Sequence, residues 1–321
     1  MRGIGWAFDS GDLSLAGRLL QEATKTINQA GPFDAALFYY FLAGEFLLQQ
    51  NFASALINQK KALQLALESG AINQIVINYL QMSRILHALS EDKKALHYLR
   101  KAYTSGKWSN YLTYMYFAAM ALIQFDQGNR KSGLMFLRKA MKLGRDKGYI
   151  NFHGFLPSDM AQLCLKALDA GITPEYVKSL IKQRNLFPDT PPYACENWPW
   201  AFKIYTLGGF KILRDDAPIE LSKKAQLKPI ELLQFLIVHH DKAAELDHIS
   251  GMLWPDAQGD YAHQTLDTTI HRLRKLLGSN DAVMAEAGRL MLNPKACWVD
   301  VQAADALFAS MEVCRERDYA A

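Results

Sequence analysis

The sequence predicts a mostly α-helical protein in two parts: an N-terminal α-solenoid of helix pairs and a smaller C-terminal α+β domain. Three observations carry this reading. A small-residue pattern recurs at offsets of 39, 40 and 38 residues through the first half of the chain. Three prolines (Pro188, Pro191, Pro192) then interrupt any helix. From Trp200 the apolar period becomes alternating, before helical spacing returns.

The repeat is visible in four segments: Ala16 to Ala23 (AGRLLQEA), Ala55 to Ala62 (ALINQKKA), Ala95 to Ala102 (ALHYLRKA) and Gly133 to Ala140 (GLMFLRKA). A small residue at the first and eighth positions lets a neighbouring helix pack close. Paired cations precede the last alanine (Lys60–Lys61, Arg100–Lys101, Arg138–Lys139) and are expected to face out or line a groove. Each of the last three segments follows a long apolar helix, at about 33–50, 72–89 and 111–127. Ser69-Gly70, Ser105-Gly106 and Gly128-Asn129 mark turns. Phe38, Tyr39, Tyr40, Phe41, Tyr114, Tyr116 and Phe117 are expected to pack between helices. A last pair is predicted at 157–170 and 173–185, with Thr173 as N-cap and Pro174 at the first helical position. Two helices per unit of about 40 residues is the pattern of a stacked helical repeat. The repeats resemble the tetratricopeptide class, in the long-helix variant of the MalT-like regulators. That resemblance implies a groove for a protein partner or a small-molecule effector, or a surface for a homodimer.

The repeat domain is placed at 1–187 and a Pro-rich linker at 188–200. Beyond it, 202–207 and 210–214 read as strands joined by a Gly208-Gly209 turn, and Asp215-Asp216 turns into a short strand from Pro218. A helix follows with Pro229 near its start, and a shorter one at about 247–253 is stopped by Trp254-Pro255. A long helix over 261–278 comes next, with Asp260 as N-cap and Gly278 as C-cap. Val283–Leu292, broken at Gly288, and Cys297–Val301 read as a β-hairpin or wing.

The 261–278 helix carries the functional expectation. Ala262, Leu266, Ile270, Leu273 and Leu277 form one apolar stripe, while Gln264, Thr268, His271 and Lys275 fall on the opposite face, flanked by Arg272 and Arg274. Amide, hydroxyl, imidazole and cationic groups are the ones that hydrogen-bond base edges and phosphates in a major groove.

The run LDTTIHRLRKLL (266–277) resembles the recognition helix of the OmpR/PhoB-type winged helix. The Leu253-Trp254-Pro255-Asp256 step is similar to the end of that family's second helix. With LMLNPKACWVDV (290–301), residues 201–301 resemble the output domain of bacterial transcriptional activators. The resemblance implies a regulator that binds double-stranded promoter DNA. It assigns DNA contacts to Gln264, Thr268, Thr269, His271, Arg272, Arg274 and Lys275, with Arg289 on the wing; the lateral position of Arg274 on the helix suits a salt bridge within the domain equally well. Lys223, Lys224 and Lys228 are then phosphate neighbours or solvated side chains, and Pro255–Asp260 is a place where RNA polymerase is touched. Residues 302–321 resemble the first helix of the repeat domain that follows such a winged helix in activators.

Composition narrows the alternatives. Half of the 321 residues are apolar and 21% are charged, a globular balance. No apolar run reaches the roughly 18 residues a membrane span needs, so no membrane association is expected. Cys164, Cys195, Cys297 and Cys314 are far apart and form no CxxC pair, which argues against disulfides or zinc and for a reducing cytoplasm; the resemblance implies a bacterial one, beside the nucleoid. Net charge is +4, yet residues 201–321 hold 14 Lys and Arg against 17 Asp and Glu. DNA binding there must therefore rest on a local cationic stripe. No metal-ligand spacing, nucleophile motif or GxxxxGK[ST] occurs, so no enzyme activity and no cofactor are expected. The competing expectation is an interaction protein whose repeats and C-terminal domain both bind proteins.

Overall fold

In the computed structural model the chain divides into two compact units, Met1–Asp189 and Thr190–Ala321. The structure describes residues 1–105, 109–150, 156–220, 227–239, 243–256 and 259–319, with backbone alone at 9, 259–260, 310 and 313–319.

Among the described residues, the regular structure of the first unit is all helical. It runs α1 (Arg2–Ser10), α2 (Leu13–Thr24), a short 3-10 turn, α3 (Pro32–Leu48), α4 (Phe52–Ser69), α5 (Ile72–Ala88) and α6 (Asp92–Thr104). It continues with α7 (Asn110–Asp126), α8 (Arg130–Lys147), α9 (Pro157–Asp169) and α10 (Pro174–Arg184). Each even-numbered helix packs on the odd-numbered one before it, and α3, α5, α7 and α9 also touch in succession. The repeat positions explain how. Ala16, Ala55, Ala95 and Gly133 are buried, as are Ala62, Ala102 and Ala140. At Gly133 the space is too small for a side chain: a Cβ there would stand 2.6 Å from the Phe125 ring. Phe38, Tyr40, Phe41 and Tyr114 are buried, while Tyr39, Tyr116 and Phe117 are half-buried.

The turn inside each pair also repeats. Gly11, Gln50, Ser90 and Gly128 all have φ between 58° and 79°. The next residue's N–H reaches back to the carbonyl of Ala7, Phe46, Leu86 or Gln124, at 2.8–2.9 Å. This left-handed closure satisfies the last carbonyls of the odd-numbered helices. At α10 the outcome differs in detail from expectation. Pro174 does open the helix, but Thr173 has φ 42° and makes no side-chain cap, and its Oγ1 is buried without a hydrogen-bond partner among the described residues.

One polar feature was not legible as such. Gln59 occupies the fifth repeat position, where Leu20, Leu99 and Leu137 stand, and it is fully buried. Its Nε2 donates to the Asn78 carbonyl and Oδ1 at 3.0 and 2.8 Å, and Gln74 Nε2 donates to Phe33 O at 3.0 Å. Gln81 Nε2 donates to Tyr40 O at 2.7 Å. These bonds satisfy the amide nitrogens and tie α5 to α3 and α4, while Gln59 Oε1 and Gln74 Oε1 are buried without a partner among the described residues.

The second unit begins inside the predicted linker. Cys195, Trp198 and Trp200 are buried; Trp200 Nε1 donates to Cys195 O at 3.0 Å, and Tyr193 stacks on Trp200 with centroids 5.9 Å apart. Tyr193 O also accepts from Trp298 Nε1 at 2.7 Å. Residues 193–200 are thus part of the folded unit, and their aromatic side chains supply the reason.

Strands β1 (Phe202–Tyr205), β2 (Lys211–Arg214) and β3 (Ala217–Pro218) form an antiparallel ribbon, with the two-residue turn Asp215-Asp216 at φ 48° and 65°. Then come α11 (Leu227–Val238), β4 (Ala244–Glu245), α12 (Leu246–Leu253) and α13 (Gly259–Leu277). Strands β5 (Val283–Glu286) and β6 (Arg289–Leu292) pair as a hairpin across Ala287-Gly288, and β4 pairs with β6. Strand β7 (Cys297–Val299) does not join that hairpin; it pairs parallel to β1, giving a four-stranded sheet of order β3-β2-β1-β7. The hairpin is therefore confined to 283–292. Helix α14 (Asp300–Tyr319) starts two residues earlier than expected. Its first side chain, Asp300, accepts from Thr206 N and Leu207 N at 2.7 and 2.8 Å. Phe202, Ile204, Leu232, Leu233, Ile249 and Val299 lie in the core between the sheet and α11–α13. Among the described residues, no helix is long and apolar enough to cross a membrane.

Candidate nucleic-acid interface

Helix α13 is held by its apolar stripe. Ala262, Leu266, Ile270, Leu273 and Leu277 are all buried, which fixes the opposite face outward. The helix begins at Gly259 rather than after Asp260, so Asp260 lies within its first turn and is not its N-cap. The expected stop at Gly278 stands: φ is 74°, and its N–H donates to Arg274 O at 2.8 Å.

Gln264, Thr268, His271, Arg272 and Lys275 are exposed. Thr268 Oγ1 donates to Gln264 O at 3.0 Å, leaving the hydroxyl oxygen outward as an acceptor. Among the described residues, no side-chain partner holds Gln264, His271, Arg272 or Lys275. These groups are therefore available to a ligand without breaking an intramolecular bond.

Two helix residues leave the expected set. Thr269 is 3% exposed, and its Oγ1 donates to Thr265 O at 2.8 Å. It lies beside Ile270 on the core side, because one step of about 100° from Thr268 turns it inward. Arg274 is half-buried, and its Nη2 donates to Val283 O at 2.9 Å. That bond ties α13 to the base of the β5–β6 hairpin, so Arg274 positions the helix and does not face a groove.

The outlying candidates are scattered. Arg289 is exposed on β6, with Nη2 3.3 Å from Glu245 Oε1, its register partner on β4. Lys228 is engaged by Glu231 Oε2 at 2.8 Å and Leu253 O at 3.0 Å, and lies over the Trp254 ring. Both are surface pairs that a phosphate can displace at little cost. Lys223 and Lys224 lie outside the described residues, as do residues 257–258 of the segment assigned to RNA polymerase.

Asp267 is a member of this face that the sequence reading passed over. It is exposed, three residues after Gln264 and four before His271. A carboxylate there accepts from a cytosine N4 amine and repels a phosphate. Helical spacing places it on the face of Gln264 and His271. His263 sits at the flank, with Nε2 3.1 Å from Asp247 Oδ1 on α12.

The chain matches no family model, and no curated protein matches it.

Proposed function

We propose that this chain is a sequence-specific duplex DNA-binding transcriptional regulator whose α13 enters the major groove. The observation that carries the reading is the exposed set Gln264, Thr268, His271, Arg272 and Lys275, of which all but Thr268 have unengaged side chains, opposite a fully buried apolar stripe. Arg272 suits bidentate contact with guanine, and Gln264 suits adenine. The order of elements supports it: three strands, α11, β4, α12, α13, the β5–β6 hairpin and β7 are the elements expected of an OmpR/PhoB-type winged helix. In that plan the hairpin is the wing, and the helix pairs of the first unit are tetratricopeptide-like repeats in an α-solenoid, serving as sensor, dimerisation or partner-binding module.

The test is selection of bound fragments from a genomic library by the full chain. Enrichment of one motif supports the reading, and loss of that enrichment in His271→Ala/Arg272→Ala assigns it to α13.

A second reading has its own observation. A largely apolar groove of about 470 Å³ is lined by Thr206, Phe210, Gln234, Ile237, Val238 and Val301. Val238 is 76% exposed beside it. That surface, in an acidic unit, favours protein binding, and a chain that selects no DNA motif leaves this reading standing.

A further inference from the structure

Charge in the first unit is sorted by helix. Helices α4, α6 and α8 together carry 13 Lys and Arg against 3 Asp and Glu, whereas α3, α5 and α7 carry 1 against 3. The sorting is periodic. Lys61, Lys101 and Lys139 fill the seventh repeat position, and each is exposed. Each ammonium lies over an aromatic ring 22 residues earlier: Lys61 over Tyr39 at 4.1 Å, Lys101 over Tyr79 at 5.8 Å and Lys139 over Phe117 at 5.4 Å. Lys101 and Lys139 are flanked by a second ring at the fourth repeat position, Tyr98 at 5.6 Å and Phe136 at 5.8 Å. Lys61 Nζ also donates to Tyr39 Oη at 2.6 Å. One residue earlier stand Lys60, Arg100 and Arg138, all exposed. Among the described residues, no carboxylate pairs with any of these six cations.

We propose that the exposed faces of α4, α6 and α8 bind the phosphate backbone of duplex DNA, without regard to sequence, through this ladder of cations. The choice of duplex rests on the DNA-binding reading of the second unit. Three considerations favour this occupant. A uniformly charged polymer matches a row in which the same two cations recur in each pair of helices. Rings beneath the lysines already restrict their stems, so less side-chain freedom is lost when a phosphate is met. The balance between the units also calls for it. Residues 190–321 hold 14 Lys and Arg against 18 Asp and Glu, whereas residues 1–189 hold 22 against 14. A base-reading surface in an acidic unit lacks the long-range, sequence-independent attraction that supplies most non-specific affinity, and the first unit carries it.

The experiment measures dissociation constants of the full chain over a range of salt, on a random-sequence duplex and on a duplex the wild-type chain has selected. Lys61→Gln/Lys101→Gln/Lys139→Gln is compared with Lys60→Gln/Arg100→Gln/Arg138→Gln, which leaves the ring-stacked lysines intact. Each lost phosphate contact flattens the log–log salt slope by about 0.9, so either triple variant is expected to flatten it by about 2.7. Both duplexes should weaken by the same factor, so that sequence preference is kept. Unchanged slopes in both variants overturn the proposal, as does tighter binding of single strands that depends on the Tyr79 and Phe117 rings. Failure of the two readings is separable. Motif selection with unchanged slopes keeps the DNA-reading role of α13 and removes the ladder. Unselective binding that both variants weaken keeps the ladder and removes that role.

Discussion

Arg214 and Gly278 meet at the C-terminal end of α13: the Arg214 Nη1 donates to Leu277 O at 3.3 Å and occupies the space that a Cβ on Gly278 would fill. The contact ties β2 to the end of α13 and places a cation on the negative end of the helix dipole. Gly278 also holds φ 74°. Gly278→Ala therefore meets two costs, a left-handed backbone and a displaced guanidinium. Denaturant unfolding of the full chain should show the second unit destabilised by roughly 1–3 kcal/mol. A change below about 0.5 kcal/mol would show that the contact is loose.

The left-handed turns of the first unit give a prediction of opposite sign. Gln50 and Ser90 sit at φ 58° and 60° where the equivalent positions are Gly11 and Gly128. Gln50→Gly and Ser90→Gly should each stabilise the first unit, by up to about 1 kcal/mol, because glycine has no steric penalty there. Thermal melting reads the sign directly, and a lowered midpoint in both variants contradicts the turn geometry.

Asp159, in the first turn of α9, supplies a pH dependence. Burial raises its carboxyl to about 6, against lowering by His87 and Arg84, with Asp126 and Asp189 adding to the rise. A folded-state value above the ordinary 3.8 means stability that is present below pH 3.8 and lost as pH rises to about 6. Asp159→Asn should therefore be more stable than the parent chain at pH 7, by at most about 3 kcal/mol, with the gain vanishing towards pH 4. His87 moves the same way. Burial lowers it, but hydrogen bonds to Asp126 and Asp92, at 3.0 and 2.7 Å, raise it on balance. Its contribution is lost as pH rises through that raised value. A gain in Asp159→Asn that does not change with pH would contradict the assignment.

Arg272 and Arg274 stand two residues apart and should separate cleanly. Arg274→Gln removes the bond to Val283 O and should cost about 1–2 kcal/mol of stability in the second unit. Arg272→Ala should leave melting unchanged within about 0.5 kcal/mol, because its side chain is exposed, while weakening binding to the selected duplex. The reverse pattern would show that the two faces of α13 have been exchanged.

The order of the longer elements was legible in the sequence because apolar spacing and turn residues report it directly, whereas α1 and the two-residue β4 were not. The repeat offsets located the helix pairs, and the five-residue stripe of α13 fixed which face is buried. Three things were not legible, for physical reasons. Gln59 reads as a surface residue in KK-rich company; only its bonds to Asn78, 19 positions away, make it a core residue. Strand β7 is assigned by pairing with β1, nearly 100 residues earlier, which local alternation cannot show. Arg274 falls at the edge of the helical face, where burial is decided by neighbours and not by the period.

The outward face of α13 is proposed to read duplex DNA. The most direct measurement is the affinity of the full chain for its own selected duplex relative to random duplex, in the parent and in His271→Ala/Arg272→Ala, with melting recorded alongside. An unchanged melt and a loss of preference of about tenfold or more are expected, since each good base contact discriminates by about 1–3 kcal/mol. Retained preference in a folded double variant would contradict it, and would place any sequence reading elsewhere on the chain.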